Sequence, residues 1–102
     1  MKVSIITVCK NAQGTIEQTI KSVISQDYKN IEYLIIDGKS TDKTLDIVNK
    51  YKSKISVIVS EPDNGLYYAM NKGLEKSTGD IIYFLNSGDL LFNRHTISNI
   101  VN

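Results

Sequence analysis

The sequence predicts an α/β fold built on a parallel sheet of about four strands, with helices on both faces. Strand-like and helix-like segments alternate along the 102 residues, a pattern typical of parallel strands joined by right-handed helical crossovers. Three of the strand segments are almost continuous apolar runs, as expected for strands that are covered on both faces. The length favours a single domain, residues 1–102. The alternation of strands and helices favours a Rossmann-like arrangement of that domain.

The first half of the chain supplies two strands and two helices. Residues 2–8 are rich in Val and Ile and predict the first strand. Thr15 is a candidate N-cap for a helix that extends to about residue 26, because isoleucines and a valine recur on one face. Residues 31–36 predict the second strand. Ser40 or Thr41 is the expected N-cap of the second helix.

The second half continues the alternation. Residues 55–59 predict a third strand, and Pro62 with Asn64 and Gly65 marks the loop that follows it. A helix over 66–76 comes next, and then a fourth strand over 80–85. The last helix is expected from about Arg94 to the end of the chain.

Composition excludes several functional classes. The net charge is +1, with 12 basic residues interspersed among 11 acidic ones, which argues against a nucleic-acid partner. Cys9 is the only cysteine, so a reducing, cytoplasmic location is expected, and the residue is interpreted as a small apolar side chain. His95 has no second His or Cys to form a zinc site. No signal peptide or membrane span is predicted, which leaves peripheral attachment to the inner face of a membrane open.

Two acidic residues follow apolar strands, and each supports two interpretations. Asp37 directly follows the second strand, where its carboxylate could bind a base or ribose, or could be a turn residue that bonds its own backbone. Asp89 follows the fourth strand with Asn86 nearby. Because Mg²⁺ or Mn²⁺ takes one or two protein carboxylates and completes its shell with phosphates and water, Asp89 could hold such an ion. The alternative is a loop of turn-forming residues.

A glycine-rich phosphate loop is absent from the sequence, which argues against a dinucleotide-binding or P-loop enzyme. Phosphate charge would have to be neutralised by a metal ion and by Lys72, whose alternative role is that of a solvated helix residue. Asn71 and Gly73 are unfavourable choices inside a helix. Gly73 is therefore predicted to allow close packing of this helix on the sheet.

Several segments, in order, resemble family 2 glycosyltransferases, which are inverting enzymes with a GT-A fold. The matching segments are 3–11 (VSIITVCKN), 22–26 (SVISQ), 35–44 (IIDGKSTDKT), 63–73 (DNGLYYAMNKG), 78–80 (TGD) and 85–89 (LNSGD). Each segment is weak alone, but together they cover nearly all of the chain. The resemblance implies the N-terminal, nucleotide-sugar-binding half of a GT-A fold.

The resemblance also implies roles for individual residues. The residues expected to bind the nucleotide sugar are Thr7, Cys9, Asp37, Asp63, Lys72, Asn86 and Ser87. Thr7 and Cys9 would line the base pocket largely through their backbone, and Asp37 would bind uracil or another base. Asp89 would coordinate the Mg²⁺ or Mn²⁺ ion that bridges the donor diphosphate. Gly88 and Asn86 stand where many members have Asp, so this segment retains only its last carboxylate.

The family's catalytic domain is roughly twice this length or more. The implied enzyme would transfer a hexose from a nucleoside diphosphate sugar, in the first place a UDP-sugar, to a saccharide or lipid-linked acceptor in cell-surface polysaccharide synthesis. The general base that inversion requires is expected outside these residues. The isolated chain is therefore expected to bind the donor without turnover.

Two other interpretations stay open. The chain could be a non-catalytic interaction module with a flavodoxin-like sheet, in which case no nucleotide should stabilise it. It could also form a homodimer through apolar surfaces that another part of a longer enzyme would otherwise cover.

Overall fold

The computed structural model describes residues 1–62 and 65–102, and its core is a four-stranded parallel sheet with the strand order β3-β2-β1-β4. The strands are β1 (Val3–Cys9), β2 (Ile31–Asp37), β3 (Val57–Ser60) and β4 (Ile81–Phe84). The helices within these residues are α1 (Ile16–Ile24), α2 (Thr44–Lys50), α3 (Leu66–Lys76) and α4 (Thr96–Val101), with a 3₁₀ turn at Lys52–Lys54. The predicted α/β fold is confirmed.

Strand β1 lies at the centre of the sheet, and all seven of its residues are buried. It pairs with β2 from Val3 opposite Ile31 to Cys9 opposite Asp37, and with β4 on its other side. Because every strand runs in the same direction, the strand ends meet at two edges. We call these the amino edge, at Val3, Ile31, Val57 and Ile81, and the carboxyl edge, at Cys9, Asp37, Ser60 and Phe84.

Helices cover both faces of the sheet because successive strand residues point to opposite sides. Ile5 of β1 belongs to the larger apolar cluster, which includes residues of α1, α2 and α4. Ile6 and Val8 belong to the second cluster, which includes Ala69 of α3. A Cβ atom at Gly73 would lie 2.5 Å from Ile6 Cγ2, so the prediction that this glycine permits close packing is confirmed.

The amino edge is closed by side chains around Glu32. Its carboxylate accepts hydrogen bonds from the Ser4 hydroxyl, the Thr78 N–H and the Thr78 hydroxyl, each at 2.8 Å, and forms an ion pair with Lys2 at 3.3 Å. Burial alone would raise the pKa of Glu32, but these donors outweigh burial and lower the pKa to about 2. Glu32 therefore connects β1, β2 and the segment before β4.

The same edge holds two backbones in close contact at Gly79. Its N–H donates to the Ser4 hydroxyl at 2.8 Å, and the neighbouring Asp80 exchanges hydrogen bonds with the backbone of Lys2. A Cβ atom at Gly79 would lie 2.5 Å from Ser4 Oγ and 2.7 Å from the Ser4 backbone nitrogen. The TGD segment is thus part of the amino edge, at the opposite end of the sheet from the carboxyl edge.

Several predicted element bounds were wrong. Helix α2 begins at Thr44 without a side-chain cap. Ser40 does not cap it, because its N–H and hydroxyl donate to Asp37, and Thr41 donates to Asn11. The other differences are in β3, which begins at Val57 after the unpredicted 3₁₀ turn, in α1, which ends at Ile24, and in α4, which begins at Thr96. Within the described residues, no helix is long and apolar enough to cross a bilayer.

Candidate functional site at the carboxyl edge

The carboxyl edge contains a cavity of about 460 Å³ beyond the end of β1. The chain leaves β1 toward β2 on one side, whereas β4 pairs on the other side, so the strand order reverses at β1. Open α/β sheets bind ligands outside the carboxyl ends of their strands at such a point. The described residues that line the cavity are Val8, Cys9, Lys10, Gly65, Leu66, Ala69, Asn86 and Ser87.

Three of the sequence-predicted residues meet in this cavity: Cys9, Asn86 and Ser87. The pairing of β1 with β4 brings them together. It continues past the regular strand, because the Leu85 N–H donates to Ile6 O at 2.9 Å and the Ser87 N–H donates to Val8 O at 3.2 Å. The chain therefore holds the first residues after β4 beside the end of β1.

Gly88 and Asp89 are positioned by a buried threonine of α1. The Gly88 N–H donates to the Thr19 hydroxyl at 2.9 Å, and that hydroxyl lies 2.9 Å from Asp89 O, to which it donates. Gly88 has φ +93°, a conformation that side chains rarely adopt. The glycine that replaces the family's usual Asp thus permits the turn that precedes Asp89.

The Asp89 side chain is exposed at this edge, and no described residue donates a hydrogen bond to its carboxylate. In the described part of the chain, no three His, Cys, Asp or Glu side chains converge as metal ligands. One accessible carboxylate does not make a self-contained metal site. It does fit a Mg²⁺ or Mn²⁺ ion whose other ligands are substrate phosphates and water.

Asp37 is only 1% exposed, and both of its carboxylate oxygens are engaged. One oxygen accepts from the Ser40 hydroxyl at 2.5 Å and from the Cys9 thiol at 3.4 Å. The other accepts from the Ser40 N–H at 2.9 Å and from the Ser60 hydroxyl at 2.8 Å. These contacts match the turn interpretation of Asp37. A direct contact with a base stays a prediction, since it requires the exchange of one of these bonds.

The two predicted positions on β1 differ in their surroundings. Burial raises the pKa of the Cys9 thiol, and the charge of Asp37 raises it further, so the thiol stays protonated. This agrees with a packing role for Cys9. Thr7 is fully buried, and its hydroxyl is bonded to the Tyr33 hydroxyl at 2.8 Å. Thr7 does not line the cavity, and its backbone lies within the pairing of β1 with β2, so its role at the site stays a prediction.

Lys72 lies apart from this cavity. The residue is 9% exposed, its ammonium group is ion-paired with Glu61, and it lies 4.6 Å from the centre of the Tyr68 ring. It lines a different cavity, of about 410 Å³, between α3 and Glu61, which follows β3. The expectation of a solvated helix residue was wrong for Lys72. Asp63, the remaining predicted residue, lies outside the described residues.

The loops after β1 and β2 form one connected unit that the sequence analysis missed. Asn11 has φ +50°, and its side-chain carbonyl accepts from the Thr41 N–H at 2.8 Å. Its own N–H donates to the Ser40 hydroxyl at 2.8 Å. Asn tolerates this backbone conformation better than most residues do, and this preference was the available signal in the sequence. The two loops therefore hold each other in place beside the cavity.

Residues 4–102 match the family model described as Glycosyl transferase family 2. The chain belongs to this family. One relative within it is a UDP-Glc:alpha-D-GlcNAc-diphosphoundecaprenol beta-1,3-glucosyltransferase of Escherichia coli, WfaP, which is 46% identical over 88 residues. Another is the putative teichuronic acid biosynthesis glycosyltransferase TuaG of Bacillus subtilis, 40% identical over 90 residues.

In both comparisons the aligned region covers 85% of this chain, but 35% of WfaP and 36% of TuaG. This family 2 chain therefore spans about a third of the length of the curated relatives it matches. The family membership is shown for this region.

Solved glycosyltransferase structures share its fold. S. aureus TarS 1-349 in complex with UDP-GlcNAc matches with a TM-score of 0.91 and 28% identity, over 99% of this chain and 30% of TarS. The mannosyltransferase PcManGT from Pyrobaculum calidifontis, in complex with GDP-Man and Mn²⁺, matches with a TM-score of 0.90 and 27% identity, over 98% and 31%. The predicted GT-A architecture is confirmed.

Among the residues of this family 2 chain that sequence reasoning missed, Thr19 and Lys10 are the polar ones that shape or line the site beside the Asn11 unit. Thr19 could have been found as a polar residue on the otherwise apolar face of α1, where a buried hydroxyl requires a partner. Lys10 lines the cavity, but it follows an apolar strand as an ordinary exposed residue. Nothing in its local sequence distinguishes it from the other lysines.

Proposed function

We propose that this chain is the donor-binding part of an inverting glycosyltransferase that transfers a hexose from a nucleoside diphosphate sugar, in the first place a UDP-sugar. One observation carries the proposal: a cavity of about 460 Å³ lies where the strand order reverses, and Cys9, Asn86 and Ser87 line it. The volume is within the usual range for small-molecule sites. The nucleotide-sugar complexes of TarS and PcManGT, which share the fold, support the same substrate class.

The lining suggests how the nucleoside would be held. Val8, Leu66 and Ala69 provide apolar contacts, and Asn86 and Ser87 provide amide and hydroxyl groups for the ribose. In this proposal Asp37 contacts the base by exchanging the Ser60 hydroxyl for a donor on the base. Thr7 contributes only through its backbone.

Asp89 is the proposed ligand of a Mg²⁺ or Mn²⁺ ion. When bound, the ion would offset the charge that builds on the leaving diphosphate. The role of the chain itself is to present one carboxylate on a turn fixed by Thr19 and Gly88. The Mn²⁺ in the PcManGT complex supports this class of ion.

Transfer with inversion also requires a general base near the acceptor hydroxyl. None of the described residues that line the cavity carries a carboxylate or an imidazole. We therefore propose that the 102-residue chain binds the donor but transfers little or no sugar. For the whole enzyme we propose a saccharide or lipid-linked acceptor in cell-surface glycan synthesis, which the diphosphoundecaprenol-linked acceptor of WfaP and the teichuronic acid role of TuaG support. We place this reaction at the cytoplasmic face of a membrane.

Binding of UDP tests the donor proposal directly. Calorimetry of the chain with UDP should give saturable binding that strengthens when Mn²⁺ is added, and UDP with Mn²⁺ should raise the melting temperature. Indifference to UDP, GDP and their sugars, with and without Mn²⁺, would contradict the proposal and favour a non-catalytic interaction module. Sedimentation tests the separate proposal of a homodimer, which a purely monomeric chain would contradict.

Asp89→Ala tests the metal assignment. We expect it to weaken UDP binding in the presence of Mn²⁺ by about 10-fold and to leave metal-free binding unchanged, because only the metal ligand is removed. Asp46→Ala is the matched control, since Asp46 is an exposed carboxylate on α2 that lines no part of the cavity. Equal binding by Asp89→Ala and the unchanged chain would show that Asp89 does not bind the ion.

A further inference from the structure

The described lining of the donor cavity includes one lysine, Lys10, to which the proposed function gives no role. Lys10 follows β1 directly and lines the cavity beside Cys9, Asn86 and Ser87. Among the described lining residues, it is the one with a charged side chain. Within residues 1–62 and 65–102, no carboxylate forms an ion pair with its ammonium group.

The other candidate cation is engaged elsewhere. Lys72 pairs with Glu61, lies over the Tyr68 ring and lines the second cavity, so its charge is already balanced away from the donor cavity. Lys39 is exposed on the next loop but does not line the donor cavity. Lys10 is thus the lysine that lines the donor cavity and has no ion-pair partner among the described residues.

A sugar diphosphate carries more negative charge than a divalent ion at Asp89 can balance. A divalent ion that is bound by the single carboxylate of Asp89 keeps one positive charge, whereas a sugar diphosphate carries two negative charges and the released nucleoside diphosphate carries more. A further cation near the diphosphate would therefore bring the site toward neutrality. A lysine suits this role because its ammonium group is a compact charge on a flexible four-carbon stem.

We propose that Lys10 binds the diphosphate of the donor. This inference rests on the proposed function and adds to it a second, metal-independent source of positive charge. The side chain extends from the end of the rigid central strand, and the loop that follows is held by the Asn11 contacts to Ser40 and Thr41. Only the flexible stem of Lys10 then has to be ordered when the donor binds.

The test compares UDP, UMP and uridine by calorimetry, in EDTA and in Mn²⁺, for the unchanged chain and for Lys10→Gln. Glutamine keeps much of the stem and removes the charge. In EDTA, Lys10→Gln should weaken UDP binding by about 10-fold and leave uridine binding within about 2-fold. The affinity of the variant for UDP should also depend less steeply on salt concentration. Lys10→Arg should restore most of the UDP affinity.

Lys39→Gln is the matched control, because it removes a lysine charge from the same edge without touching the cavity lining, and it should bind UDP normally. Equal weakening of UDP and uridine by Lys10→Gln would overturn the proposal, since Lys10 would then pack against the nucleoside. Unchanged UDP binding would also overturn it. If the unchanged chain binds none of the three compounds, the proposed function itself is wrong. If the unchanged chain binds UDP and Lys10→Gln binds it equally well, only the role of Lys10 is wrong.

Discussion

The two edges of the sheet contain similar polar residues, but these residues are paired to different extents. At the amino edge, Glu32 is surrounded by the donors of Ser4, Thr78 and Lys2, and Gly79 brings two backbones into contact. At the carboxyl edge, a cavity of about 460 Å³ stays open, and Lys10 and Asp89 have no ion-pair partner among the described residues. Polar groups at the first edge bind one another, whereas Lys10 and Asp89 at the second edge are available to a ligand.

The comparison separates structural motifs from binding motifs within one family pattern. The TGD segment and the LNSGD segment lie at opposite ends of β4, although they are only a few residues apart in sequence. Changes at the amino edge should therefore alter stability and spare binding. Changes to the open groups of the carboxyl edge should do the reverse.

Gly79→Ala should have the largest effect on stability. The new methyl group would overlap the Ser4 backbone and hydroxyl, so we expect a loss of about 3 kcal/mol in the free energy of unfolding, measured in urea. Gly14→Ala is the control, because a Cβ atom at Gly14 meets no atom within 4 Å. The folded fraction of Gly79→Ala should still bind UDP. A loss of UDP affinity in that fraction would break the separation of the two edges.

Asp37→Asn tests the one carboxylate at the carboxyl edge that is internally saturated. We expect a loss of about 2 kcal/mol in stability, because the amide NH2 group cannot accept the bonds that one carboxylate oxygen accepted, and two of the four donors lose their partner. If Asp37 also contacts the base, UDP affinity of the folded protein should fall. Unchanged affinity would contradict the base contact and would show that Asp37 only stabilises the fold.

Glu32→Gln should have a smaller effect that depends on pH. The pKa of Glu32 is about 2 in the folded chain, against 4.5 ordinarily, so its carboxylate stabilises the fold fully above about pH 4.5. This contribution, about 1–2 kcal/mol at pH 7, should be lost as the pH falls from about 4.5 toward 2. Urea titrations between pH 2 and pH 7 measure it, with Glu75→Gln on the exposed face of α3 as control. A stability difference that is as large at pH 2 as at pH 7 would contradict this account.

The sequence was sufficient to predict the fold because the apolar runs of β1, β2 and β4 and the periodic face of α1 are local signals. It also predicted α3 with its observed bounds, 66–76. The start of α2 could not be predicted in this way. Ser40 and Thr41 are good N-cap residues, but both bond to other partners. Ser40 donates to Asp37, three residues earlier, and Thr41 donates to Asn11, which is 30 residues away in sequence.

The candidate site was only partly predictable, for a physical reason. Cys9, Asn86 and Ser87 were expected from the family resemblance, and they meet in the cavity because strand ends gather at one edge. Whether a lysine is paired depends on neighbours that are remote in sequence. Lys72 therefore seemed available although Glu61 neutralises it, and Lys10 seemed ordinary although it lines the cavity.

The central position of β1 has a consequence for how the chain opens. A strand that is hydrogen-bonded on both sides and buried throughout should exchange its amide hydrogens with solvent last, whereas β3 and β4, each four residues long and paired on one side only, should exchange earlier. Val8 and Cys9 belong to that slowest-exchanging strand. The floor of the cavity would then keep its shape through the brief local unfolding that the outer strands undergo.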